Sequence, residues 1–189
     1  MVRWVLPIIA CAGVLLMAGE ASSQWSQSPR YALHGKAEVV EVNSPNLLTL
    51  KMLDSSRVIS VRLLGVGSPH NRDVVTHLDP KIFNHIKQND LWEISRNYVQ
   101  SLVKEKVVEV WVRRWNRCDE KNRLLVYLKV PGLMQESMDL NAAIIKNGLG
   151  FVTRDYVHVT YVQYRRLQDE ARNGRRGIWR ALREFHVRR

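Results

Sequence analysis

A chain of 189 residues that is 46% hydrophobic can bury the core of one domain and carry appendages, and it contains no internal repeat or low-complexity tract. Lysine and arginine outnumber the acids by 29 to 18, a net charge of +11 that favours polyanions or anionic lipid as partners. Two cysteines, one of them in an apolar leader, exclude a disulfide-stapled scaffold, and no clustered Cys/His set points to zinc.

Residues 4–19 carry no charge, and Gly19 and Ala21 place small residues just ahead of a polar stretch. This pattern fits a signal peptide over residues 1–21, for a secreted or lumenal protein, or an uncleaved membrane anchor through residues 4–19. Cleavage would remove Cys11 and leave Cys118 alone, so no disulfide-linked partner is required. Residues 22–34 read as a linker, and 35–179 as the folded unit.

Within that unit, residues 36–42, 47–53 and 57–64 are short and β-branched, separated by the turn-formers Asn43-Ser44-Pro45-Asn46 and Asp54-Ser55-Ser56. They read as a three-stranded meander, with Ile59, Val61 and Leu63 on one face and Arg62 on the other. Asp90 and Glu93 form a capping-box pattern ahead of a helix with Leu91, Ile94, Tyr98 and Leu102 on one face. Residues 107–113 alternate Val108, Val110 and Val112 inward, and 123–130 supply a fifth strand. A helix over 140–147 stops at Gly148, expected as a left-handed cap, and Thr160 with Gln163 forms a second capping box before a stripe of Tyr161, Tyr164, Leu167 and Ala171. The order βββαββαα predicts an α+β domain: a Greek-key, five-stranded barrel with about three packed helices.

That order, together with RLLGVGSP at 62–69, DEKNRLLVYLKV, DLNAAIIKNGLGFV and the late GIW at 177–179, resembles the staphylococcal nuclease-like, or thermonuclease, family, whose domain is an OB-fold barrel. The resemblance runs from about residue 35 to 179. It implies a calcium-dependent phosphodiesterase site, and this chain departs from that site position by position. Where the family has Asp-Gly-Asp-Thr between the first two strands, the chain has Asn43-Ser44-Pro45-Asn46, so Pro45 replaces a calcium-binding Asp. Where the family continues from its arginine to Asp-Thr-Pro-Glu, the chain has Gly67, Ser68, Pro69 and His70 in place of a second calcium ligand and the general base.

Calcium wants six to eight oxygens including carboxylates, and the developing charge on phosphorus needs a cation, so the resemblance with these departures implies a noncatalytic domain with no metal and no cofactor. Arg62 and Arg123 match the family's two phosphate-clamping arginines and could still grip phosphate, or could serve as framework residues paired with nearby acids. Gly67 is expected to keep a tight bend. A rival enzymatic reading uses His70 as a metal-independent base with Arg62 and Arg123, although the partner acid that must protonate the leaving oxygen is missing.

Two candidate partner surfaces remain. The connection from His70 to Asp90 is roughly ten residues longer than the family's and is a candidate protein-binding element. The C-terminal tail, with Arg175, Arg176, Arg180, Arg183, Arg188 and Arg189, is either solvated or a contact for nucleic acid or phospholipid. The expected function is therefore a nuclease-like binding module for nucleic acid or another polyanion, with a protein-interaction scaffold in the secretory pathway or on a membrane as the alternative.

Overall fold

The computed structural model describes residues 30–69, 90–132 and 137–181. Among the described residues, eight strands and three helices follow in chain order: β1 (Tyr31–Ser44), β2 (Leu47–Met52), β3 (Val58–Leu63), β4 (Val66–Gly67), α1 (Leu91–Val103), β5 (Val107–Arg113), β6 (Leu124–Pro131), β7 (Ser137–Asp139), α2 (Leu140–Lys146), β8 (Phe151–Val152) and α3 (Tyr161–Asn173). A final helical turn runs over 178–181.

The main sheet has the order β3-β2-β1-β5-β6-β7, and a further parallel pairing of β3 with β6 closes its first five strands into a ring. These five are the strands predicted for the barrel. β1 can serve both sides of the ring because it is 14 residues long: its first half pairs with β5 and its second half with β2. Register shifts between Leu33 and Gly35, and again near Val39 and Val42, bend the strand from one neighbour to the other. β1 therefore begins inside the stretch read as linker. Tyr31 pairs with Arg113 and is buried against Tyr127, with ring centroids 5.2 Å apart.

Val61 and Leu63 of β3 point into the core with Val108, Val110 and Val112 of β5, as their alternation predicts. In β6, by contrast, Leu125 through Leu128 are all fully buried, because the ring covers one face and helices cover the other. Helix α1 departs from its expected phase. Its buried residues are Leu91, Ser95, Val99 and Val103, while Ile94 is 52% exposed. Ser95 can face inward because its hydroxyl donates to Leu91 O at 2.7 Å, which removes the cost of burying it.

Neither expected capping box forms. Asp90 adopts a left-handed conformation and makes no side-chain cap. Thr160 Oγ1 is engaged by Tyr127 and His158 instead, and Gln163 Oε1 has no partner. The cap that forms is Asp139, whose carboxylate accepts from Ala142 N at 3.1 Å at the start of α2. At the other end of α2, Gly148 has φ +66 as expected, and the reason lies beyond the helix. A side chain there would collide with the Arg176 carbonyl, and Gly148 O accepts from Ile178 N at 2.9 Å, so the two glycine-containing segments pack backbone to backbone.

The ring's seam depends on Asn141, which is fully buried. Its amide donates to Leu64 O at 3.0 Å and Val126 O at 3.1 Å and accepts from Leu128 N at 3.3 Å, joining the end of β3 to β6 and both to α2. An Asn141→Ala variant strands Leu64 O and Leu128 N in the core. Each costs roughly 1–3 kcal/mol, so a loss of about 3 kcal/mol is expected in chemical denaturation, with Asn141→Asp no better than Ala.

Candidate functional site: a cleft at the rim of the ring

The ring's rim carries an open cavity of about 520 Å³. One wall comes from the β1–β2 turn and the segment after β4, through Ser44, Asn46 and Ser68. The opposite wall is the β5–β6 connection, through Glu120, Lys121 and Arg123. Arg62 projects from β3, Trp92 from the first turn of α1, and Asp155 and Tyr156 from the connection after β8.

The first wall holds no carboxylate. Pro45 is buried in the turn, and Asn46 beside it is engaged at both ends of its amide: Oδ1 accepts from Ser44 Oγ at 2.9 Å and Nδ2 donates to Val66 O at 2.9 Å. Asn46 is thus a strut between the β1–β2 turn and β4. Gly67 does not form the expected bend. It is a strand residue of β4 paired with Phe151, and the bend is Gly65, with φ +79 and its Cα face against the His158 ring. On this wall a calcium ion would find Pro45 without a donor, Asn46 already bonded, and the hydroxyls of Ser44 and Ser68 but no carboxylate. The donor set does not fit that ion. Among the described residues no group of three His, Cys, Asp or Glu is arranged to hold a metal.

The opposite wall is ordered by Asp119, whose side chain is buried. Its Oδ1 accepts from Lys121 N at 3.0 Å and Arg123 N at 2.9 Å, and its Oδ2 accepts from Arg123 Nε at 2.7 Å. Arg123 Nη2 closes the pair at 2.5 Å. The same Oδ2 lies 3.9 Å from Arg62 Nη1, so both guanidiniums converge on one carboxylate. Burial alone would raise the Asp119 pKa, but the bonds from the Arg123 side chain and backbone, its charge and the Lys121 amide outweigh it and hold the carboxyl below its ordinary value.

Arg62 has a second acid. Its Nη2 donates to Asp155 Oδ2 at 2.7 Å, and its guanidinium lies 5.4 Å from the centre of the Tyr156 ring. Tyr156 spans the mouth, donating to Glu120 Oε2 at 2.6 Å; burial and that bond push its hydroxyl up to about 12. The connection carrying Asp155 and Tyr156 is anchored beneath by His158, which is buried. His158 Nε2 meets Thr153 O at 3.2 Å, so Nε2 carries the proton and Nδ1 accepts from Thr160 at 2.9 Å. Burial, with the Arg113 charge adding to it, lowers the His158 pKa against the opposing bond to Thr153 and keeps the ring neutral.

The cleft thus brings together Arg62, Arg123 and Ser68 of the residues singled out in the sequence. It does not include Arg175, Arg176 or Arg180, which are exposed beyond α3. His70, the 70–89 insertion, Arg183, Arg188 and Arg189 lie outside the described residues. Sequence reasoning missed Asp155, Tyr156 and Trp92. Asp155 meets Arg62 across 93 positions, and no periodicity reports such a pairing.

Because the folded Asp119 carboxyl titrates below its ordinary value of 3.8, its contribution to stability is full above that value and is lost as pH falls through the lower folded one. Asp119→Asn should cost about 2–4 kcal/mol at neutral pH, and the gap to wild type should narrow in acid. Urea denaturation at neutral pH and at about pH 3 reads both.

No curated protein matches the chain. The family model described as staphylococcal nuclease homologue matches residues 60–181, which contain every cleft residue named above except those of the β1–β2 turn. With the closed ring, the parallel β3–β6 seam and this match over more than half its length, the chain belongs to the staphylococcal nuclease homologue family.

Proposed function

We propose that the domain is a noncatalytic binding module whose cleft takes a phosphate-bearing polyanion, with single-stranded nucleic acid the best-fitting class. The observation that carries this reading is the asymmetry of the cleft. The wall that would seat a cation presents Pro45, an engaged Asn46 and Ser68, whereas the wall that would grip phosphate keeps both guanidiniums in register on Asp119. Removing the cation seat removes Lewis-acid stabilisation of the phosphorane but leaves two guanidiniums at the cavity to receive phosphate oxygens. Trp92 and Tyr156, aromatic side chains of the kind that stack on unpaired bases, line the same cavity.

Asp155 sets the strength of that binding. Its carboxylate holds the Arg62 Nη2 edge that a phosphate oxygen would use, so a ligand must displace it. Its side chain is 39% exposed, so the pair contributes little to stability, about 0–1 kcal/mol after solvent screening. Asp155→Asn should therefore leave the fold intact and tighten binding of a labelled single-stranded oligonucleotide roughly tenfold at low salt.

Fluorescence anisotropy of that oligonucleotide across a salt series tests the site itself. Arg62→Ala with Arg123→Ala should weaken binding by roughly a hundredfold and flatten the salt dependence. Unchanged affinity in the double variant would remove the cleft from the account. The contribution of Arg175, Arg176 and Arg180 must be tested by substitution, because truncation there would also strip Ile178 and Ala181 from the core. Pure protein is expected to leave denatured DNA uncut with calcium present. Calcium-stimulated cleavage at the rate of an active nuclease of this family would refute the noncatalytic reading.

A further inference from the structure

A different surface, built around the other end of the β5–β6 connection, combines exposed apolar tips with arginines. Trp115 is 47% exposed, Val157 83% and Val162, on the first turn of α3, 62%. The buried guanidinium of Arg113 ties the Val157 segment to the turn after Trp115, donating to Val157 O at 3.1 Å and to Asn116 O at 2.5 Å. Arg114 and Arg117 flank Trp115 and are exposed. On the Val162 side, Arg154 stacks 4.7 Å from the centre of the Tyr161 ring and donates to its hydroxyl at 2.7 Å, which holds a third exposed cation beside α3. Arg165 and Arg166 follow Val162 at helical spacings of three and four, both exposed.

We infer that Trp115, Val157 and Val162, bordered by Arg114, Arg117 and Arg154, form a docking surface for an anionic lipid bilayer. The residue types separate this partner from nucleic acid. Aliphatic tips gain free energy in the acyl boundary and little against bases, tryptophan favours the headgroup region, and arginines at that depth meet lipid phosphates. The path of the chain supports the same partner. Arg114 N donates to Arg30 O at 3.0 Å, so the polypeptide enters the domain beside this surface. The uncharged stretch 4–19 ends eleven positions before Arg30, a span that reaches about 38 Å when extended. A leader that engaged a bilayer would bring this entry point, and the surface beside it, to the membrane before the rest of the domain. It is distinct from the cleft, although the β5–β6 connection belongs to both, so docked lipid would hold the Arg123 wall close to the membrane plane.

Cys118, exposed and next to Arg117, supplies the reporter. The full chain carrying Cys11→Ser is labelled with a nitroxide at Cys118 and mixed with vesicles of phosphatidylcholine alone or with about one third phosphatidylserine. The nitroxide's collisions with dissolved oxygen and with a water-soluble nickel reagent are then compared by electron paramagnetic resonance. On anionic vesicles the label should gain oxygen contact and lose nickel contact. Trp115→Ser with Val157→Ser should abolish that change, and Arg114→Gln with Arg117→Gln should lower the docked-to-undocked ratio roughly thirtyfold. All these positions are exposed, and an unchanged spectrum in buffer checks that each variant is folded. A label equally open to nickel in buffer, on neutral and on anionic vesicles overturns the inference, as does protection that appears only when a single-stranded oligonucleotide is added.

Discussion

A buried carboxylate must be surrounded by donors, and Asp119 meets that requirement by organising the cleft. Two backbone amides and the Arg123 fork satisfy it directly, and Arg62 approaches from the barrel at 3.9 Å. Two arginines that would otherwise repel each other are therefore held on one acceptor at the lining of the cavity. The geometry of this wall follows from electrostatic satisfaction of one carboxylate.

The ring delivers Arg62 to that acceptor. Arg62 pairs with Leu125 across the parallel β3–β6 seam, close to the connection that bears Asp119 and Arg123, so the seam fixes the separation of the two walls. Asn141 holds the seam by filling the polar gap where β3 leaves β6. The seam and the paired arginines are linked through these residues: weakening the seam should loosen the Arg62–Asp119–Arg123 arrangement before it unfolds the domain. On the opposite side of the cleft, Asp155 and Tyr156 ride on a connection pinned by neutral His158, and these added contacts partly occupy the clamp.

Much of the fold was legible in the sequence because it is written in local periodicity. The five ring strands lie where alternation and turn residues put them, and Gly148 takes the expected left-handed conformation. β4, β7 and β8, of two or three residues each, are too short to carry a period. The phase of α1 was misread because Ser95 looks polar until its hydroxyl bonds back to Leu91. The capping box at Thr160 failed for a tertiary reason, because its hydroxyl serves His158 and Tyr127. Within the site, the altered turn residues and both arginines were visible as departures from, or matches to, a family pattern. Their partners were not, because Asp155 reaches Arg62 from a connection on the far side of the chain.

In the function we propose, phosphate recognition in this cleft has been separated from divalent-cation binding. Calorimetric titration of the protein with a short single-stranded oligonucleotide, with and without millimolar calcium at constant ionic strength, addresses it directly, since two sites that share a ligand's charge must couple reciprocally. One affinity under both conditions is the expected result. A tenfold or greater tightening by calcium would show a seated cation beside Arg62 and contradict the account.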